Sequence, residues 1–303
     1  MNFSVTVLGS CSATPTLNRF TSSQIVHYEN KLFLIDCGEG AQMQLRRFNI
    51  KINRINHIFI SHLHGDHYLG LMGLLSSYHL LGRKTDLHIY SPKALEEIIE
   101  IQKQAAATTF SYKIIFHYLK EDNEGVIYED EKLTVSSVKL QHRVPTFGFI
   151  FKEKKKEKKI YKEAIAAYSL SIADILNIKK GIKFIDKKGN MVPEQLLTYP
   201  EEPVRMYAYI SDTAYDESVV KKIYNIDLLY HEATFGEDLK QVAAEKFHST
   251  ALEAATIAKM AKAKKLIIGH FSARYTTFEP LLKEARSVFE NTFCAEEGLN
   301  FIV

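Results

Sequence analysis

Six residues behind a short apolar strand limit the folds open to this chain. His62-Leu63-His64-Gly65-Asp66-His67 sets three imidazoles and a carboxylate where the strand expected at His57–Ser61 ends. A lone histidine is usually a satisfied core residue, but four donors in one turn are hard to absorb by packing. Imidazole nitrogen and carboxylate oxygen are ligands for a divalent cation, and Gly65 permits a tight bend between them. In an extended segment the i, i+2 spacing turns His62 and His64 to one side. Asp66 and His67 can face a second ion across the turn. So short a cluster cannot close two tetrahedral sites, each of which takes about four ligands. The fold must carry further donors to the same place.

Three residues downstream meet that demand. His142 follows the strand Leu133–Leu140, Asp212 follows Met206–Ile210, and His270 follows Lys265–Gly269. Each stands at the C-terminal end of an apolar run, where sites gather in sheets of this kind. Taken singly, each can equally be a turn residue or cap. Other strands are expected at Phe3–Leu8, Gln24–Tyr28, Lys31–Ile35, Leu87–Tyr90, Ile114–Tyr118, Thr146–Phe151 and Leu228–His231. Helices are expected at Ala41–Phe48, Gly70–Leu81, Lys93–Ala107, Glu217–Tyr224, Thr250–Met260 and Glu279–Phe289. Strand and helix mix without strict alternation, which predicts an α/β or α+β sandwich of sheets and helices rather than a bundle or an all-β barrel.

Charge marks one compositional break. Residues 151–189 hold 12 lysines and 5 acidic side chains, a net of +7, while the whole chain nets only +3. We read this segment as a basic arm inserted into one domain spanning 1–303. A localised polyanion contact fits it, and so does a solvated Lys/Glu-rich face. The 46% apolar and 25% charged content of the 303 residues excludes a disordered chain. An apolar run of about 18 residues, the length of a membrane span, is absent. Three cysteines and the start MNFSVTVLGS, with its short apolar stretch and no basic region, suit a reducing compartment and a cytoplasmic protein.

The order His62-Leu63-His64-Gly65-Asp66-His67, His142, Asp212, His270 resembles the metallo-β-lactamase superfamily. Asp36-Cys37-Gly38-Glu39-Gly40, Tyr230-His231-Glu232-Ala233-Thr234-Phe235, His248-Ser249-Thr250 and Gly269-His270-Phe271-Ser272-Ala273-Arg274-Tyr275 narrow the likeness to the ribonuclease Z family in its short form. The resemblance implies a four-layer αβ/βα sandwich with two metals at one edge. It implies one zinc on His62, His64 and His142, a second on Asp66, His67 and His270, and Asp212 bridging them. It also makes Asp66 the proton acceptor for an attacking water. The metals are two Zn²⁺ by resemblance; histidine and carboxylate also suit Mn²⁺ or Fe. In the family an arm grips the tRNA elbow, and the enzyme is a homodimer in which one subunit's arm serves tRNA bound to the other. The sequence departs from the family in three places, one of them Ser211, where the family often has glycine before the bridging aspartate. The loop Pro15-Thr16-Leu17-Asn18-Arg19-Phe20 has leucine and phenylalanine where the family has lysine and asparagine. The arm also lacks the family's Gly-Pro hairpin, though Lys179-Lys180-Gly181 remains.

Such a centre suits phosphodiester hydrolysis. Two ions about 3.5–4 Å apart activate a shared water near neutral pH and offset charge on the phosphate oxygens. The expected activity is removal of the 3′ trailer from precursor tRNA, leaving a 3′-hydroxyl and a trailer 5′-phosphate. His248 is the candidate proton donor to the departing oxygen, oriented by Glu232; the alternative is an N-cap. Candidate tRNA contacts are Lys154, Lys155, Lys156, Lys158, Lys159, Lys179 and Lys180 on the arm, and Arg274 nearer the metals. His57, His79, His88 and His117 read as surface or satisfied core. The rival readings are a hydrolase of small esters on the same fold and a non-catalytic RNA-binding protein with structural zinc.

Overall fold

A computed structural model describes residues 3–122 and 124–303; Met1, Asn2 and Asn123, included in the 1–303 domain reading, lie outside them. Among the described residues the strands are β1 (Phe3–Gly9), β2 (Ser23–Tyr28), β3 (Lys31–Ile35), β4 (Ile55–Phe59), β5 (Leu87–Ser91), β6 (Ile114–Tyr118), β7 (Gly125–Glu129), β8 (Leu133–Leu140), β9 (Thr146–Glu153), β10 (Met206–Ile210), β11 (Leu228–Glu232), β12 (Lys265–Gly269), β13 (Thr292–Cys294) and β14 (Asn300–Ile302). The helices are α1 (Ala41–Arg47), α2 (Gly65–Tyr68), α3 (Leu71–Leu80), α4 (Ala94–Ala105), α5 (Lys162–Ala167), α6 (Ile172–Lys179), α7 (Lys240–Glu245), α8 (Ala251–Met260) and α9 (Glu279–Val288).

The strands form two sheets, in the orders β14-β1-β2-β3-β4-β5-β6 and β13-β12-β11-β10-β9-β8-β7. β3 to β6 run parallel, as do β10 to β13. Parallel neighbours need crossovers, and the helices supply them except between β10 and β11. The central strands are apolar on both faces because both faces are covered. On one side Leu34, Ile58 and Ile89 pack with Leu45, Leu74, Leu75 and Leu95 of α1, α3 and α4. On the other, Ala208, Leu229, Leu266 and Ile268 pack with Ala254, Ala258, Leu281 and Ala285 of α8 and α9. Between the sheets lie aromatic rings, with Phe59–Phe149 and Phe33–Phe151 centroids 5.4 and 5.6 Å apart. The result is the expected four-layer αβ/βα sandwich.

Some expectations need correction. The helix expected at Glu217–Tyr224 is only a 3-10 turn, Glu217–Val219, capped by Asp216. Its β-branched pair Val219-Val220 is a poor helix propagator. The strand expected at His57–Ser61 runs Ile55–Phe59, which leaves Ser61 and His62 in the turn. β7, β13 and β14 escaped the sequence reading, the last two because three residues carry no readable alternation.

The chain divides into two compact units, and the second holds Asp130–Leu133 with Lys152–Arg205. Its core is Ala164, Leu170, Ile178, Val192 and Leu197, and a Ser171/Asp174 capping box starts α6. The unit continues past Gly189 and so takes in Glu194, Glu201 and Glu202. These acids pair with the lysines: Lys155–Glu201 at 2.9 Å, Lys156–Glu202 at 2.5 Å, Lys158–Glu194 at 2.5 Å and Lys159–Glu202 at 3.1 Å. Lys179 pairs with Glu157 at 3.1 Å. At the unit's neck the buried Glu153 carboxylate takes Arg205 N–H and Nε, both at 3.0 Å, and Nη2 at 2.7 Å.

That neck yields a stability prediction. Burial raises the Glu153 carboxyl, but the Arg205 hydrogen bonds outweigh it and hold it below its usual value. A carboxyl depressed in the folded state stabilises above its unfolded pKa, and the contribution fades as pH falls through the folded one. Arg205→Ala strands a buried charge and is expected to cost about 3–5 kcal/mol at neutral pH. Urea unfolding at pH 7 and at pH 3 measures this, and the loss should be smaller at pH 3.

Candidate metal centre

The predicted ligands stand at the C-terminal ends of strands from both sheets. His62 follows β4, His142 follows β8, Asp212 follows β10 and His270 follows β12. His64 precedes α2, while Asp66 and His67 lie in it. All seven come together in two sets. In the first, His64 Nδ1 lies 3.1 Å from His62 Nε2 and 3.2 Å from His142 Nε2, and Asp212 Oδ2 is 3.8 Å from His62 Nε2. In the second, His67 Nε2 lies 3.3 Å from His270 Nε2, 3.5 Å from Asp66 Oδ2 and 3.4 Å from Asp212 Oδ1. His270 Nε2 closes that figure, 3.3 Å from Asp66 Oδ2 and 3.2 Å from Asp212 Oδ1. Tetrahedral bonds of about 2.0–2.1 Å require donor atoms about 3.3 Å apart. Asp212 offers one oxygen to each set.

Hydrogen bonds behind the ligands fix their tautomers. The Ser61 hydroxyl donates to Asp36 Oδ2 at 2.9 Å, so its oxygen can accept from His62 Nδ1 at 3.1 Å. His67 Nδ1 donates to the same Asp36 oxygen at 2.7 Å, and Tyr209 OH donates there at 2.8 Å. His142 Nδ1 donates to Phe247 O at 2.9 Å. The Thr234 hydroxyl donates to Glu232 Oε2 at 2.6 Å and takes His270 Nδ1–H at 2.8 Å. In each of these four rings Nδ1 turns to the support and Nε2 faces the donor set, the usual arrangement of metal-binding histidines. Burial and the facing His67 lower the His62 pKa well below its ordinary value, which keeps that ring in its neutral, ligating form. Burial raises the Asp212 carboxyl, but His270 and His67 outweigh it and hold it far below the carboxylate range. These donors fit divalent metal binding. Asp36 and His270 adopt φ of 53° and 58°, a region non-glycine residues occupy at a cost and that clusters at functional sites.

Glu232 lies beside this centre but is spent elsewhere. It accepts the Thr213 N–H at 2.8 Å, the Thr234 N–H at 3.2 Å, the Thr234 hydroxyl, and His248 Nδ1 at 2.8 Å. Four bonds use the carboxylate's capacity, so it orients its neighbours rather than ligating. His248 is not an N-cap; Thr250 caps α8, in a capping box with Glu253. Burial pulls His248 down, but Glu232 outweighs it and pushes the imidazole up to about 9. His231 is buried and donates to the Glu232 carbonyl at 2.7 Å. His57, His88 and His117 stack in series across β4 to β6.

A cleft of about 290 Å³ opens onto the ligands, with Ser12, Ala13 and Pro15 of the loop after β1 on one wall and Arg143 and His248 on others. Arg143 carries no sequence signal beyond its place after His142. In the family-divergent loop, the Phe20 ring fills the space that a Cβ at Gly40 would enter. Leu17 is fully exposed. Arg19 donates to Tyr275 O and Thr276 O at 3.2 and 3.4 Å, its guanidinium 3.6 Å from the Phe278 ring centre. Arg274 is exposed, with Nε donating to Ser272 Oγ at 3.1 Å. The seven candidate lysines belong to the second unit.

Comparison with known proteins gives one family profile, described as Anti-Pycsar protein Apyc1, matching residues 3–167. That match ends before Asp212, Glu232, His248 and His270. Relatives match along nearly the whole chain. A ribonuclease Z of Bacteroides fragilis is 47% identical over 297 residues, covering 98% of each protein. One of Cytophaga hutchinsonii is 44% identical over 308 residues, covering 100% of this chain and 97% of its own. Among solved structures, the short form of human tRNase Z superposes with a TM-score of 0.71 at 28% identity, over 98% of both chains. A metallo-β-lactamase fold protein of Bacillus subtilis superposes at 0.70 and 21% identity, over the whole of both chains, a likeness of fold.

Proposed function

The chain belongs to the ribonuclease Z family, and from that premise we propose that its cleft removes the 3′ trailer from precursor tRNA, as a zinc-dependent endonuclease. The observation that carries the reading is full-length similarity to ribonuclease Z in a chain whose seven donors form two sets sharing Asp212. His62, His64 and His142 with Asp212 are assigned to one Zn²⁺, and Asp66, His67 and His270 with Asp212 to the other. When bound, such a pair lowers the pKa of a shared water and offsets charge on the phosphate. Asp66 accepts the proton of the attacking water. His248, cationic at neutral pH and held through Nδ1 by Glu232, gives the proton of its other nitrogen to the departing 3′ oxygen. No 2′-hydroxyl attack is needed, so the products are a 3′-hydroxyl on the tRNA and a 5′-phosphate on the trailer.

Cut-site mapping on one precursor tRNA, with end-group analysis of both products, tests this. A 2′,3′-cyclic phosphate, or turnover of acyl thioesters with intact RNA, would reject it.

The lysine-rich unit supplies the second part of the reading, a grip on the tRNA elbow through Lys154, Lys155, Lys156, Lys158, Lys159, Lys179 and Lys180. Residues 152–205 carry 13 basic and 8 acidic side chains, so the excess persists despite the internal pairs. Every phosphate no longer neutralised by a lysine should flatten the salt dependence of binding by about 0.7–0.9 in log–log slope. Replacing residues 154–204 by a short turn from Glu153 to Arg205 is therefore expected to weaken tRNA binding by at least tenfold. Hydrolysis of bis(4-nitrophenyl) phosphate should stay within about twofold; equal loss of both would deny a separate docking role. Arg274 is assigned a phosphate contact nearer the metals. We take the enzyme to act in the cytoplasm as a homodimer in which one subunit's arm serves tRNA on the other. Mixing Asp66→Ala subunits with arm-deleted ones would then restore cleavage that neither shows alone.

A further inference from the structure

Asp66 depends on a backbone group that nothing in the metal chemistry accounts for. Its Oδ2, the oxygen facing His67 and His270, accepts the Ala13 N–H at 2.7 Å. Ala13 sits in the loop between β1 and β2 at φ 60°, a conformation a non-glycine residue holds only when its surroundings impose it. The Ser12 N–H, which donates to Phe271 O at 3.0 Å, holds the backbone beside Ala13, and the loop's two ends hold the rest. Ser10 N–H and Cys11 N–H both donate to Phe20 O at 3.0 Å, which closes the loop on itself. Phe20 N–H donates to Glu297 Oε1 at 2.6 Å, and the Ser10 N–H also faces this carboxylate. Glu297 Oε2 accepts Gln44 Nε2 at 2.7 Å, and that amide group donates to Leu8 O at 2.9 Å.

One side chain from the last turn of the chain therefore ties both ends of the loop to α1 and β1. Its own placement is fixed. Gly298 adopts φ +91°, where a Cβ would meet the Phe48 ring at 2.5 Å, and its N–H donates to Val7 O at 2.9 Å. Beyond the loop lies a cavity of about 570 Å³, bordered by Ser10, Asn18, Arg19 and Glu297. With open space behind it, the loop depends on such anchors.

We propose that Glu297 is a positioning residue: its carboxylate clamps the Ser10–Phe20 loop and so holds the Ala13 N–H that fixes Asp66 for reaction. The inference rests on the hydrolytic reading of the Asp66 site.

The test compares Glu297→Ala, Glu297→Gln and Asp66→Ala with the wild type, all zinc-loaded, on bis(4-nitrophenyl) phosphate. Amide hydrogen exchange and metal content are measured on the same samples. A misplacement of about 1 Å can cost 10²-fold in rate. Glu297→Ala is expected to lower kcat by about 10–10²-fold at nearly constant KM, with full metal content and faster exchange across Ser10–Phe20 but not in α8. Glu297→Gln keeps an oxygen for the Phe20 N–H but sets an NH₂ against Gln44 Nε2, and is expected to lower kcat by about three- to tenfold. Unchanged loop exchange in Glu297→Ala, or a rate loss that tracks lost metal or lost protection in α8, would overturn the clamp. Should Glu297→Ala not fold, Glu297→Gln decides alone: a threefold or greater fall in kcat with faster loop exchange supports the clamp, and wild-type values for both reject it. If Asp66→Ala hydrolyses at the wild-type rate, the reading of the site fails instead, and loop exchange still decides whether Glu297 clamps.

Discussion

Asp66→Ala is expected to lower precursor-tRNA cleavage by about 10³-fold or more while tRNA affinity stays within about threefold. Three groups converge on the carboxylate that is removed: His67 Nε2 at 3.5 Å, His270 Nε2 at 3.3 Å and the Ala13 N–H at 2.7 Å. Burial raises the Asp66 carboxyl, but His67 and His270 outweigh it and hold it below its usual value. Its position, rather than its basicity, suits it to accept a proton, and positioned acid–base groups supply about 10²–10⁴-fold. The same residue is a donor of the second set, so in the proposed reading the variant loses orientation as well as a base. Binding is there assigned elsewhere, to lysines that the substitution does not touch. Single-turnover cleavage and a filter-binding isotherm on the same protein separate the two quantities. A variant that bound normally and cut at a tenth of the wild-type rate or better would remove Asp66 from the chemistry. A variant that lost binding and cleavage together would place it in substrate recognition.

Much of this site was legible in the chain because its information is local. His62 to His67 declare themselves by density, and His142, Asp212 and His270 by standing behind apolar strands, where parallel topology gathers loop residues. The supporting atoms are different. Asp36 binds Ser61, His67 and Tyr209 at once, yet in sequence it is one aspartate before a cysteine. Thr234 relays Glu232 to His270 through a hydroxyl whose partners lie 2 and 36 positions away. Such relations depend on tertiary contact, and residue type alone cannot announce them. The lysine-rich segment shows the complementary limit. Composition marks where the basic excess begins but not that Glu194, Glu201 and Glu202 return to neutralise part of it, since ion pairs across a folded unit leave no periodic trace. The loop after β1 teaches a third lesson. Residue type marks Arg19 only as a cation in a loop, but its guanidinium is engaged by two carbonyls and the Phe278 ring.

Removing metal should produce the other large effect, on two observables at once. Asp36, Asp66, Asp212 and Glu232 are nearly or wholly buried around rings whose nitrogens stand 3.1–3.3 Å apart. A cation bound only by the folded protein stabilises it by RT ln(1 + [L]/Kd), about 2.7 kcal/mol at a hundredfold excess over Kd. For a domain of this size, each kcal/mol moves the midpoint by about 2–4 °C. Exhaustive chelation is therefore expected to abolish cleavage and lower Tm by about 5–10 °C, with more if both sets bind tightly. Back-titration with Zn²⁺ should recover Tm and activity together and end near two equivalents, because Asp212 gives one oxygen to each set. Mn²⁺ can substitute at lower affinity, since the same donors suit it less well. Recovery at one equivalent would contradict two occupied sets. Chelated protein, verified metal-free by elemental analysis, that still cut precursor tRNA at the native rate would refute the centre itself, because Arg143 and His248 would then be bearing the charge on the phosphate unaided.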